Sequence, residues 1–333
     1  MSVMQFDVVG IGNAIVDVVA TTSSAFLEEH ELTKGRMFLV DEATAARLYS
    51  AMGQGIESSG GSAANTIAGL ASLGSRGAFI GKTRDDQLGE VFRHDLHALG
   101  IHFPTLPLCE GPSTARCLVL VTPDAHRTLV TFLGAATQLT PDDVDVASIR
   151  GAAITYLEGY LFDPPLAKAA FRRALELAHA AGNRVALTLS DPLCVERHRD
   201  DFLALLREGV DVLFANEAEI TKLLGTDKTN EIRSALSSDV GIVVITRSER
   251  GSQVVTADDI HEIGPLSLGP VLDTTGAGDL YASGFLHGLA KGFELTRCGK
   301  LGSFCAAEAI SHFGARPQSS LRALAATYGI VGS

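Results

Sequence analysis

Asp273-Thr274-Thr275-Gly276-Ala277-Gly278-Asp279, running into Leu280-Tyr281-Ala282-Ser283-Gly284-Phe285-Leu286, is the stretch that decides how this chain folds. Gly276, Ala277 and Gly278 are small enough for a turn to expose consecutive backbone N–H groups. Leu280, Phe285, Leu286 and Leu289 recur at helical spacing, so the turn is expected at a helix N-terminus. Unpaired donors and the positive end of the helix dipole together make an anion site there. Asp279 then stands where a carboxylate faces the bound anion. An N-terminal cap would also explain Asp279. It would not explain two glycines and a second acid, Asp273, within seven residues.

The rest of the chain sets the context. Its 333 residues suffice for one large α/β domain with an appendage, or for two ordinary domains. With 46% hydrophobic residues it is expected to be globular throughout. A net charge of −12 argues against nucleic acid or an anionic membrane as partner. Five cysteines without C-x-x-C spacing read as reduced thiols. The first residues do not resemble a signal peptide, and no apolar run reaches the roughly 20 residues that span a bilayer. A cytoplasmic location is the expectation.

Phe6 to Ile11 reads as a buried strand ending in Gly10-Ile11-Gly12-Asn13. A dinucleotide fingerprint would need a third glycine where Ile15 stands, and β-branched residues follow instead of a helix. Residues 36–40 read as a short strand and 41–52 as an amphipathic helix. Ser58-Ser59-Gly60-Gly61-Ser62-Ala63-Ala64-Asn65 opens an alanine-rich helix through Leu73; its paired glycines permit close approach of a ligand. A nucleophile elbow around Ser62 fails because position 64 is alanine. His94 and His97 lie one turn apart with no third ligand at suitable spacing, so an exposed helix face is expected. Residues 114–133 read as a β-hairpin. From 149 onward strands and helices alternate, the grammar of a parallel sheet covered on both faces, with ligands at the carboxyl ends of the strands. Asn216 and Glu219 fit either an N-cap with its N3 partner or two oxygen ligands that hold a hydrated Mg²⁺. No G-x-x-x-x-G-K-[ST] sequence occurs, which excludes an ordinary P-loop enzyme.

These motifs, in this order, resemble the ribokinase-like (PfkB) family of carbohydrate and nucleoside kinases over about residues 6 to 317. The resemblance implies a doubly wound, mostly parallel α/β sheet with helices on both faces, formed by 1–12, 52–100 and 136–333. It implies a small β-sheet lid formed by 13–51 and 101–135. The Gly276-Ala277-Gly278 backbone becomes the anion hole, and Asp279 the base that takes the proton from the acceptor hydroxyl. Asn13, Asp17, Gly60, Gly61 and Asn65 become the sugar site, although Asp17 alone would pass for a solvated strand end. Arg127 matches a lid arginine that approaches the transferred phosphate; a solvated hairpin arginine would look the same.

ATP is implied as phosphate donor, bound by Asn216, Thr246, Ser248 and Gly251 together with Gly276 and Gly278. Ser248 replaces the first glycine of the family's T-x-G-x-x-G, which leaves the loop path open. Glu219 and Asn216 are implied to hold Mg²⁺ through water, and Asp273 and Thr275 to contribute to a K⁺ site. On alignment with the family's adenosine kinases, Ile15, Leu129, Leu133, Tyr160 and Leu193 fall at base-lining positions, all apolar or aromatic as a nucleobase slot requires. The expected reaction is phosphorylation of the adenosine 5′-hydroxyl, with a sugar kinase or another nucleoside kinase as the alternative. A non-catalytic binding protein on the same fold and a dinucleotide-dependent oxidoreductase are the competing classes. The partner is a small molecule, with neither nucleic acid nor membrane, and the chain is expected to be a monomer or homodimer.

Overall fold

The computed structural model describes residues 5–124, 126–236 and 238–330. Among the described residues, thirteen strands lie in two sheets. The larger contains β1 (Phe6–Ile11), β5 (Gly77–Ile80), β8 (Ala152–Glu158), β9 (Arg184–Thr188), β10 (Val212–Asn216), β11 (Ile242–Thr246), β12 (Ser252–Val255) and β13 (Ile260–Ile263). Their order across the sheet is β13-β12-β11-β10-β9-β8-β1-β5, parallel from β11 to β5, with β12 and β13 added antiparallel at one edge. The edge hairpin is absent from the sequence reading, because its two short strands carry no helix between them.

Side-chain alternation drives this sheet into the middle of the molecule. Along β1, Val8 enters one core and Val9 the other. One core packs Val9, Leu187, Leu213 and Val243 beneath the helices Pro165–Ala180 and Pro192–Gly209. The second packs Val8, Ile154, Phe214 and Val244 beneath the helices Ser62–Ser72 and Ala277–Ala290. Helices therefore cover both faces, as the alternating pattern predicts.

The smaller sheet, in the order β3-β7-β6-β2-β4, holds β2 (Ile15–Thr21), β3 (Met37–Leu39), β4 (Ile56–Gly60), β6 (Ala115–Val121) and β7 (Arg127–Phe132). Two boundaries differ from the expected division. Residues 56–60 belong to the small sheet, where they pair antiparallel with β2. Residues 101–108 run beside the large sheet instead, through bridges Ala78↔His102 and Arg84↔Leu108. Both follow from backbone pairing between distant segments, which local sequence does not encode. Val16 and Val18 of β2 pack with Leu27 and Leu48, so one face of this sheet is buried. The other face carries Ile15, Cys117, Val119, Leu129 and Leu133 in a separate apolar cluster.

All five cysteines are free, and Cys109 alone among them is exposed. His94 and His97 are both exposed on the helix Gln87–Ala98, and no group of three metal-binding side chains occurs among the described residues. No helix among them is long and apolar enough to cross a membrane.

Candidate active site

The signature forms the turn and helix start that its residue types dictate. Gly276 is the N-cap of the helix Ala277–Ala290 at φ 76, a left-handed conformation that favours glycine. A Cβ there would also lie 2.7 Å from Ala315 Cα. The Ala277 N–H turns back to the Thr274 carbonyl (3.2 Å), and no side chain caps the helix. The N–H groups of Gly278 and Asp279 are therefore left for an external acceptor. A Cβ on Gly278 would meet nothing within 4 Å, so this glycine borders open space.

That space is a cavity of about 370 Å³ at the carboxyl ends of β9, β10 and β11. Ser62, Tyr160, Ser190, Asn216, Glu219, Thr246 and the turn from Thr274 to Asp279 line it. The placement obeys the rule for open α/β sheets.

Asp279 is held at both oxygens. Ser62 Oγ donates to Oδ1 (2.6 Å), and Asn65 Nδ2 donates to Oδ2 (3.1 Å). Both donors lie on the first turn of the helix Ser62–Ser72, three residues apart and hence on one face. The two helices approach closely because Gly69 has no side chain; a Cβ there would stand 2.7 Å from Leu280 Cδ1. Burial pushes Asp279 up to about 6, against the pull of the two donors. Ser62 was missed in the sequence reading, which considered it as a nucleophile and not as a clamp on a remote carboxylate.

The sugar-site residues converge beside this clamp. Gly61 caps the same helix at φ 96, with its Cα packed against the Asn13 carbonyl, where a side chain would overlap. Asn13 Nδ2 donates to Glu158 Oε1 (2.7 Å), and the Ala63 N–H donates to Glu158 Oε2 (2.8 Å). Glu158, at the end of β8, thus supplies the side-chain cap that Gly61, the N-cap residue, lacks. Burial raises Glu158 to about 7 although these donors favour its ionised form. Asp17 lies opposite Ser58 on the paired strands, with its carboxylate over Gly60, where any Cβ would overlap it. Burial raises Asp17 to about 6, opposed by Arg316 and reinforced by Asp279.

Arg127 is drawn to the signature itself. It pairs with Asp273 Oδ2 (2.7 Å), approaches Thr275 Oγ1 (3.4 Å) and lies over the Phe313 ring at 5.5 Å. Strand β7 of the small sheet is thereby tied to the turn that begins the helix Ala277–Ala290. Asp273 also accepts from the Thr275 N–H (3.1 Å), the Thr275 hydroxyl (2.7 Å) and the Gly314 N–H (2.9 Å). Both of its oxygens are occupied; burial would raise its carboxyl, but the Gly314 and Thr275 donors and, less strongly, the Arg127 charge hold it below the ordinary range. These residues do not fit the expected K⁺ site.

At the far end of the cavity Asn216 and Glu219 form a capping box. The Asn216 N–H and Nδ2 donate to the two Glu219 oxygens (2.9 and 2.6 Å), and the Glu219 N–H donates to Asn216 Oδ1 (2.9 Å). Capping does not exhaust their role, since both also line the cavity. Burial, with the charge of Asp191, raises Glu219 to about 7. Two carboxylates and no lysine or arginine line the cavity. A nucleotide triphosphate there needs positive charge that the side chains do not supply, and the donor set fits a hydrated divalent cation.

The remaining expected contacts are at the rim or outside. Thr246 lines the cavity, whereas Ser248 and Gly251 form the turn beyond it, at φ 51 and φ 79. Ser248 thus adopts the left-handed geometry that suits the glycine it replaces. Ser190 is also left-handed (φ 69), in a tight turn closed by the Asp191 N–H to the Leu189 carbonyl (2.9 Å). Its hydroxyl is buried at the cavity wall without a partner, and strain of this kind concentrates at functional sites. Ile15 and Leu129, with Leu133 just past the end of β7, belong to the apolar cluster on the second face of the small sheet, on the same side as Asp17 by strand alternation. Tyr160 joins the cavity wall, while Leu193 is 61% exposed at the start of its helix and touches neither group.

Comparisons with known proteins identify the family. The pattern described as pfkB family carbohydrate kinase matches residues 40–321. A crystal structure of adenosine kinase from Sinorhizobium meliloti is 47% identical, with 97% of this chain and 99% of that one covered and a TM-score of 0.89. A probable sugar kinase from Rhizobium etli is 43% identical, over 98% and 100%, with a TM-score of 0.91. Among curated proteins, an ATP-dependent ribose-1-phosphate kinase of Halopiger xanaduensis is 31% identical over 81% of this chain and 86% of its own length. With the family pattern spanning most of the chain and the clamped carboxylate set against a glycine turn with free N–H groups, the protein belongs to the pfkB carbohydrate kinase family and is an ATP-dependent sugar or nucleoside kinase acting on a hydroxyl group.

Proposed function

We propose that the protein transfers the terminal phosphoryl group of ATP to the 5′-hydroxyl of adenosine, giving AMP. The observation that carries this reading is the open face of the small sheet. There Ile15, Leu129 and Leu133 belong to one apolar cluster on the side of the sheet that bears Asp17, so an apolar surface shares a face with a carboxylate suited to a ribose diol. A nucleoside has both parts, whereas a bare sugar would leave the apolar part unused. The likeness to the Sinorhizobium adenosine kinase supports the same choice. The sugar kinases among the relatives favour a second reading, in which a ribose-like or hexose ring alone is the acceptor.

In the proposed mechanism Asp279 accepts the proton of the attacking hydroxyl on a carboxylate whose two oxygens Ser62 and Asn65 hold in place, one each. The free N–H groups of Gly278 and Asp279 stabilise charge on the moving phosphoryl group. Positioning and electrostatics of this kind account for most of the catalysis in phosphoryl transfer. Asp17, Asn13 and Gly61 orient the acceptor, and Glu158 fixes Asn13. Asn216 and Glu219 would hold Mg²⁺ through its waters, and the ion would supply the countercharge for the triphosphate.

A panel of nucleosides and sugars assayed for ATP consumption tests the substrate. Adenosine is expected to have the highest kcat/KM; ribose or fructose exceeding it would replace the nucleoside reading with the sugar one. The metal assignment has its own test. Glu219→Gln is expected to raise the Mg²⁺ concentration needed for half-maximal activity while Tm changes little, since glutamine can still accept from the Asn216 N–H. An unmoved Mg²⁺ titration with a lowered Tm would reduce the pair to a helix cap.

A further inference from the structure

Arg316 lies outside every motif and outside the lining of that cavity, yet a single residue, Asn65, links it to the base. Its Nε–H donates to Asn65 Oδ1 at 3.2 Å, its one hydrogen bond among the described residues. Asn65, only 5% exposed, then has a single satisfactory amide orientation. With oxygen towards the guanidinium, its NH₂ faces Asp279 Oδ2 at 3.1 Å. Exchanging the two ends would set an oxygen against the carboxylate and an NH₂ against the arginine, losing both bonds. Arg316 also faces the opposite charges of Asp17 and Asp95. Its Nη2 is buried without a hydrogen-bond partner, so the side chain is not spent on tethering its own segment.

We propose that Arg316 is a positioning residue, which fixes the Asn65 amide and through it holds Asp279 in the rotamer that faces the acceptor hydroxyl. The chain of contacts is guanidinium, amide, carboxylate, with each link a hydrogen bond of ordinary length. It joins the segment after the last long helix to the first turn of the helix Ser62–Ser72. The inference rests on the reading of Asp279 as the base.

Misplacement of a reacting group by about 1 Å can cost about 10²-fold in rate. Arg316→Met keeps the apolar stem and removes every donor, so it is expected to lower kcat by about that factor, with KM for ATP unchanged. Arg316→Lys, which can still donate to Asn65, is expected to recover part of the loss. If Arg316 acts through Asn65, its loss will not add to that of Asn65→Ala, and the double variant will be little slower than the slower single one. Wild-type kcat in Arg316→Met, or full additivity with Asn65→Ala, would overturn the proposal. Should Arg316→Met fail to fold, the same additivity measurement made with Arg316→Lys decides. Asp279→Asn is assayed alongside. If it retains kcat, the base assignment falls and this inference with it; if it is inactive while Arg316→Met is unaffected, the positioning role alone is lost.

Discussion

Asp279→Asn is expected to lower kcat by about 10²–10⁴-fold, the usual contribution of a general base, with KM for ATP little changed. Asparagine preserves the volume and can still accept at its oxygen, so the loss reports proton transfer and not collapse of the turn. The wild-type pH profile carries a related signature. Asp279 works as the carboxylate, and burial raises its proton affinity to about 6. Activity is therefore present above that pH and is lost as pH falls through about 6. Asp17, also raised to about 6 by burial and by the charge of Asp279, titrates in the same range. Glu219, raised to about 7, titrates just above them, so the acid limb of kcat/KM belongs to all three groups. A variant that keeps most of its kcat, or a profile flat down to pH 4.5, would remove Asp279 from the chemistry.

Asp17→Ala is expected to weaken acceptor binding by about one to two orders of magnitude, because a hydrogen bond to a charged group contributes about 1.5–3 kcal/mol. Calorimetric titration of adenosine reads this directly. The fold should not suffer, since the change removes a buried carboxylate whose ionised form burial already disfavours. Tm at neutral pH is expected to hold or rise. An acceptor Kd within twofold of wild type would return Asp17 to the role of an ordinary strand residue.

Much of this site was legible in the chain because its parts are short and backbone-driven. Two glycines within three residues ahead of an apolar helix suit a turn with exposed N–H groups, and Gly276 and Gly278 form one here, one by its φ and one by the space it borders. The alternation after residue 149 likewise determines a parallel sheet with covered faces, since the same strands must supply both cores. The capping box at Asn216 and Glu219 was equally readable, being a contact within one helical turn.

What depended on distance could be settled by tertiary structure alone. The donors to Asp279 come from positions 62 and 65, more than 200 residues away, and no local pattern marks Ser62 as a partner of a carboxylate. The pairing of Arg127 with Asp273 across 146 positions uses up the acceptor that a K⁺ site would have needed. Glu158 caps a helix that begins 96 residues earlier. Arg316 reaches Asn65 only because the C-terminal segment returns over the first turn of that helix. The residue types and local turns were therefore written in the sequence; the identity of each charge's partner, and with it each pKa and each role, was decided when the two ends of the chain packed together.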